Sequence, residues 1–154
     1  MRSFTPGLFD RLSQHAPAAP TTPARARAQA LAACKDSITR DLVCLLNTRC
    51  ALPGQNVNPY AAVAGSVLNY GLIDFAGMCM TSDTDQQQIC TAVRQAIERH
   101  EPRLDKVSVI LRPKKGSINR VEFEIMAELK GAVAGEPLSF NAVFRPSIQQ
   151  YSIE

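Results

Sequence analysis

Residues 121–129 read Val121-Glu122-Phe123-Glu124-Ile125-Met126-Ala127-Glu128-Leu129, and their alternation decides the fold class. A period of two is the repeat of a β-strand with one buried and one wet face. Val121, Phe123, Ile125, Ala127 and Leu129 take the inner face; Glu122, Glu124, Met126 and Glu128 take the outer one. The same pattern recurs on both sides. Val107, Val109 and Leu111 alternate upstream, and Leu138, Phe140, Ala142 and Phe144 alternate downstream. The intervening stretches, Arg112–Arg120 and Gly131–Pro137, carry glycine and proline and suit antiparallel hairpins.

Upstream of these strands the apolar period lengthens to that of a helix. Leu31, Lys35, Ile38, Leu42, Leu45, Leu46 and Arg49 recur at threes and fours, which predicts a helix over residues 24–49. Pro53-Gly54 ends it. Ile89, Val93, Ala96, Ile97 and His100 mark a second helix, with Cys90 beside the stripe. Thr84 and Gln87 have the spacing of a capping box at its start. Pro102 stops it, and His100 suits the negative end of its dipole. Between the helices, Asn56-Val57-Asn58-Pro59 signals a turn. Ser66–Gly71 predicts a short helical turn, and Leu72, Ile73 and Phe75 act as apolar anchors. Helices followed by a run of strands predict an α+β fold, with two main helices packed on one face of a small, mainly antiparallel sheet.

Residues 1–23 read differently. Pro6, Pro17, Pro20 and Pro23 are mixed with alanine and threonine, the composition of a flexible arm. Residues 24–154 are therefore expected to form a single α+β domain behind it. Leu8, Phe9 and Leu12 can share one face of a helical turn opened by Thr5 and Pro6. They read either as a frayed end or as a short peptide that docks on a neighbouring subunit, and three large apolar residues favour docking.

Charge and cysteine usage exclude several classes. The 154-residue chain carries a net charge of +3, and the whole surplus lies in residues 1–30; the rest is neutral. Arg112, Lys114, Lys115 and Arg120 cluster without the interleaved aromatics of a base-stacking surface, so no nucleic-acid partner is expected. They read as a solvated loop or as a contact for an acidic protein. No apolar run approaches the roughly 18–20 residues that span a bilayer, and no membrane insertion is expected. Five cysteines without a C-x-x-C pair, and two histidines at no metal-ligand spacing, predict reduced thiols and neither metal nor cofactor.

Catalytic constellations are equally thin. There is no nucleophile elbow, phosphate loop or dinucleotide fingerprint. A glycosidase needs one protonated carboxyl across a cleft from a second. Glu101 and Asp74 are the candidates for that pair, but Arg103 beside Glu101 favours an ionised carboxylate. No catalytic residue and no small-molecule substrate are expected; a lysozyme-like peptidoglycan hydrolase is the alternative.

Three stretches carry a resemblance. Asp41-Leu42-Val43-Cys44-Leu45-Leu46-Asn47-Thr48-Arg49 ends the first helix. Ser66-Val67-Leu68-Asn69-Tyr70-Gly71-Leu72-Ile73-Asp74 is its companion loop. Ala92–Leu104 ends in Glu101-Pro102-Arg103. In this order and spacing they resemble the TssE family, baseplate proteins of bacterial type VI secretion systems, which is similar to the small wedge protein of contractile phage tails. The resemblance implies a non-enzymatic structural subunit in the bacterial cytoplasm, within a baseplate docked at the inner membrane; a wedge protein of another phage-like contractile machine is a further alternative beside the hydrolase. Its implied partners are other wedge subunits and the contractile sheath. It carries Glu101, Pro102 and Arg103 over as wedge-contact residues, the favoured reading; an intramolecular clamp at a helix stop is the second one. A free sheet edge would accept sheath strands.

Overall fold

The computed structural model describes residues 22–51, 61–75, 78, 82–112, 120–130 and 137–153. Helix α1 spans Pro23–Asn47, with proline in its first turn, where a missing N–H costs nothing. A four-residue helix α2, Ala61–Ala64, leads into a 3₁₀ turn at Val67–Asn69. Helix α3 spans Asp83–His100. Four strands follow: β1 Leu104–Arg112, β2 Val121–Leu129, β3 Pro137–Arg145 and β4 Gln150–Ile153. They form one antiparallel sheet in chain order, β1-β2-β3-β4. The expected α+β fold is what forms.

The inner sheet face is the one the alternation selects. Phe123, Ile125, Ala127, Leu129, Leu138, Phe140 and Ala142 are all buried there. Ile38, Leu42 and Leu45 of α1 and Ile89, Val93 and Ile97 of α3 join them in one cluster. Each such side chain contributes roughly 1.5–3 kcal/mol through its burial, so the cluster is the main source of stability. Helix α3 lies over β1, α1 over β4, and the helices touch each other. On the outer face the glutamates are paired. Glu128 meets Lys106 at 2.9 Å, Glu122 meets Arg120 at 2.9 Å, and Glu124 meets Arg112.

Four local expectations change. The α1 stripe runs through Cys34, Ser37 and Ile38, while Lys35 and Arg49 are exposed. The Lys35 ammonium instead lies 5.9 Å from the Phe140 ring centroid. Ser82, not Thr84, caps α3: its hydroxyl accepts from the Asp85 N–H at 3.4 Å. The first strand begins three residues early, at Leu104, because a bulge lies between Asp105 and Ser108, with Lys106 at φ 49°. The fourth strand, Gln150–Ile153, follows a turn at residues 146–149.

Candidate interaction site

Glu101 sits at the C-cap of α3, and its N–H donates to Ile97 O at 2.8 Å. Three residues later, at Leu104, the chain enters β1, so Glu101, Pro102 and Arg103 form the corner between helix and sheet. Pro102 is exposed, while Glu101 is only 4% exposed. Its carboxylate is matched by the Arg103 fork. Arg103 Nε donates to Glu101 Oε1 at 2.7 Å, and Nη2 to Oε2 at 2.6 Å. The Arg103 N–H adds a bond to Oε1 at 3.2 Å. This is the bidentate geometry that a planar guanidinium provides and an ammonium does not.

The fork also reaches helix α1. Nη1 donates to Ser37 Oγ at 3.0 Å, and Nη2 pairs with Asp41. Arg103 thus ties the end of α3 to the middle of α1. The bond to Glu101 is the largest reason that its guanidinium binds its proton more tightly than usual, with Asp41 contributing less. Of the expected contact residues among those described, Glu101 and Arg103 therefore point their charged groups at intramolecular partners, and Pro102 stands clear. Ser37 and Asp41 belong to this cluster and were missed as site residues. The available signal was a serine on a buried helix stripe four residues before an aspartate.

A second junction is built from the other two quoted stretches. Arg49 and Leu72 form a parallel bridge: Leu72 N–H donates to Thr48 O at 2.8 Å and Cys50 N–H to Leu72 O at 2.9 Å. Gly71 makes this approach possible. Its φ is 108°, and a Cβ there would lie 2.4 Å from Thr48 O. Arg49 pairs with Asp74 at 2.5 Å and also bonds Gln149. The Asn47 side chain pairs with β4 as a neighbouring strand would. Its Nδ2 donates to Tyr151 O at 2.9 Å, and the Tyr151 N–H donates to its Oδ1 at 2.9 Å.

His100 joins the same loop to α3. Nε2–H donates to Asn69 O at 2.9 Å, and Tyr70 meets the ring edge-on with centroids 5.2 Å apart. Burial pushes its pKa below the ordinary 6.5, so the neutral ring is favoured. Rather than capping its own helix, His100 holds the Val67–Asn69 turn. Val67 and Leu68 project from that turn as exposed apolar side chains. Leu8, Phe9 and Leu12, and His15, lie outside the described residues, as do Lys114 and Lys115.

These junctions span the segment in which the chain matches known proteins. The family described as baseplate wedge protein gp25 matches residues 32–133. The chain belongs to that wedge family. The matched segment of this wedge protein holds both the Arg103 clamp and the Arg49–Leu72 bridge. Among solved structures, a chain described with "The baseplate complex from the type VI secretion system" is similar at 16% identity. The similarity covers 77% of this chain and 96% of that one, with a TM-score of 0.49. No curated protein matches.

Proposed function

We propose that this wedge-family chain is a non-enzymatic subunit of a type VI secretion baseplate, joining the wedge complex to the first ring of the contractile sheath. Family membership over residues 32–133 is the observation that carries this reading. The Glu101–Arg103 corner supports it in a specific way. The clamp fixes a rigid, exposed turn at Pro102, and a partner wedge subunit is read as docking there. The same reading has the assembly docked at the cytoplasmic side of the inner membrane, as the resemblance implies.

The sheath contact is assigned to the β1 edge. Asn47 covers the backbone of β4 at Tyr151, where an added strand would have to pair. On β1, the residues Val109–Arg112 beyond the bulge are in regular register, and Ile110 is exposed on the outer face. Main-chain pairing there, with Ile110 under an apolar partner side chain, fits strand addition, although the Leu111 backbone already meets the Cys90 thiol.

Co-purification with wedge and sheath subunits tests the reading. Pro102→Asp leaves the intramolecular clamp in place and is expected to lose the wedge subunits. Ile110→Lys is expected to keep the wedge and lose sheath initiation. Unchanged recovery of both would overturn the assignment. The hydrolase alternative gains nothing from the geometry, since both Glu101 oxygens are taken by Arg103 and Asp74 is paired with Arg49. Clearing of purified cell walls by the chain, lost in Glu101→Gln, would reinstate it.

A further inference from the structure

A cavity of about 250 Å³ opens where the end of α1, residues 72–75 and the turn before β4 meet. Leu46, Leu72, Phe75 and Phe144 supply apolar lining, and Arg49 and Asp74 contribute one charge of each sign. We propose that the chain's own N-terminal arm occupies this cavity, with Phe9 inserted and Asp10 and Arg11 facing Arg49 and Asp74. The arm precedes the residues matched to the wedge family, so this contact is a property of this chain rather than of the matched segment.

Length is the first argument. The described chain begins at Thr22, the N-cap of α1, and the cavity lies at the opposite end of that helix. The helical rise places Leu46 about 36 Å from Thr22. At the rise of polyproline II, the thirteen residues from Phe9 to Thr22 can reach at most about 40 Å. Phe9 therefore reaches the cavity with little slack, whereas Leu12 stops near its rim.

Chemistry is the second argument. Phe9 is flanked by Leu8 and Asp10, and the arm offers Asp10-Arg11 where the cavity offers Arg49 and Asp74. The Arg49–Asp74 pair is more than half exposed on both sides, at 54% and 55%. An exposed pair of this kind holds its partners weakly, so each charge can be shared with an incoming opposite one.

The 154-residue chain has no tryptophan, so Phe9→Trp in that chain supplies a single tryptophan reporter. Its emission is expected to be blue-shifted, and acrylamide quenching several-fold weaker than for a free arm peptide, at every protein concentration. Ile73→Asp, at an exposed position of the cavity wall, is expected to restore peptide-like quenching with an unchanged circular dichroism spectrum. Asp74→Asn, which leaves the apolar lining intact, is expected to weaken the protection part-way. Protection that disappears on dilution would put the arm on a second copy and overturn the proposal. A reporter that is fully quenchable in the isolated Phe9→Trp chain would overturn it as well, leaving the cavity to a different partner.

Discussion

Removing the Arg103 fork by Arg103→Ala tests whether the Glu101–Arg103 corner is a clamp. Glu101 is 4% exposed, and in the parent chain its carboxylate accepts from three N–H donors of Arg103. One of these is the backbone N–H and survives the substitution, so two charge-assisted bonds are lost. Breaking a buried pair by removing one partner costs about 3–5 kcal/mol. The Asp41 arm adds little, because that carboxylate is 36% exposed and solvent screens it. The surviving N–H and partial relaxation of Glu101 toward water put the net loss at the lower end, about 3 kcal/mol. With a urea slope of about 1.5 kcal/mol/M, the unfolding midpoint falls by about 2 M. The double variant Glu101→Gln/Arg103→Met removes both charges and is expected to lose distinctly less than the single variant. A midpoint for Arg103→Ala within about 0.3 M of the parent, roughly 0.5 kcal/mol at that slope, would refute the clamp. It would return Arg103 to the role of a surface residue free for a partner.

Three further outcomes follow from the same geometry. Gly71→Ala combines a backbone at φ 108° with a Cβ 2.4 Å from Thr48 O, and is expected to lower stability by about 2–4 kcal/mol in thermal or urea unfolding. Asn47→Ala removes both bonds to the Tyr151 backbone and is expected to cost about 1–3 kcal/mol, with amide exchange at Tyr151 rising by a matching factor. His100 gives a pH dependence whose sign is set by its depressed pKa. The unfolded ring binds a proton near 6.5 and the folded ring only below that, so the unfolded state holds more protons in the window between. Stability is therefore complete above about pH 6.5 and falls as the pH drops through the folded value; His100→Gln flattens this part of the curve.

The sheet was legible because alternation is a strong signal wherever one face is buried. The Val121–Leu129 pattern survives intact in the structure, glutamates outward and the aromatic and aliphatic residues inward. The helices were legible for the same reason at period 3.6. What the sequence hid was mostly decided by tertiary contacts. The bulge at Asp105–Ser108 depends on pairing with β2, and no residue in Asp105-Lys106-Val107 announces it. Strand β4 is four residues long and is held by Asn47, which sits more than a hundred positions away. The capping residue was misplaced by two because Ser82 and Thr84 both satisfy the local rule, and only the path of the incoming chain chooses between them. For the site, the motif Glu101-Pro102-Arg103 was visible as a unit, but its direction was not. Whether an ion pair faces inward or outward depends on what stands opposite, and here that is Ser37 and Asp41 on a different helix.

An inward clamp and an outward contact are not competing roles at this corner. The chain must turn from the end of α3 into β1 within three residues, and β1 must then meet β2 in a fixed register from Leu104 onward. Arg103 sets that turn from both ends: its side chain holds Glu101 and α1, while its carbonyl accepts from Lys130 N–H at 2.8 Å, just beyond the end of β2. The orientation of Pro102, and the direction in which β1 leaves the corner, are tied to this one residue through both its side chain and its backbone. A partner that reads Pro102 or the β1 edge therefore reads the clamp indirectly. If Pro102 is the docking turn proposed above, substitutions at Arg103 act on assembly by moving a surface they do not themselves form; a lysine there, with one compact charge in place of a planar fork, cannot hold Glu101, Ser37 and Asp41 in the same arrangement.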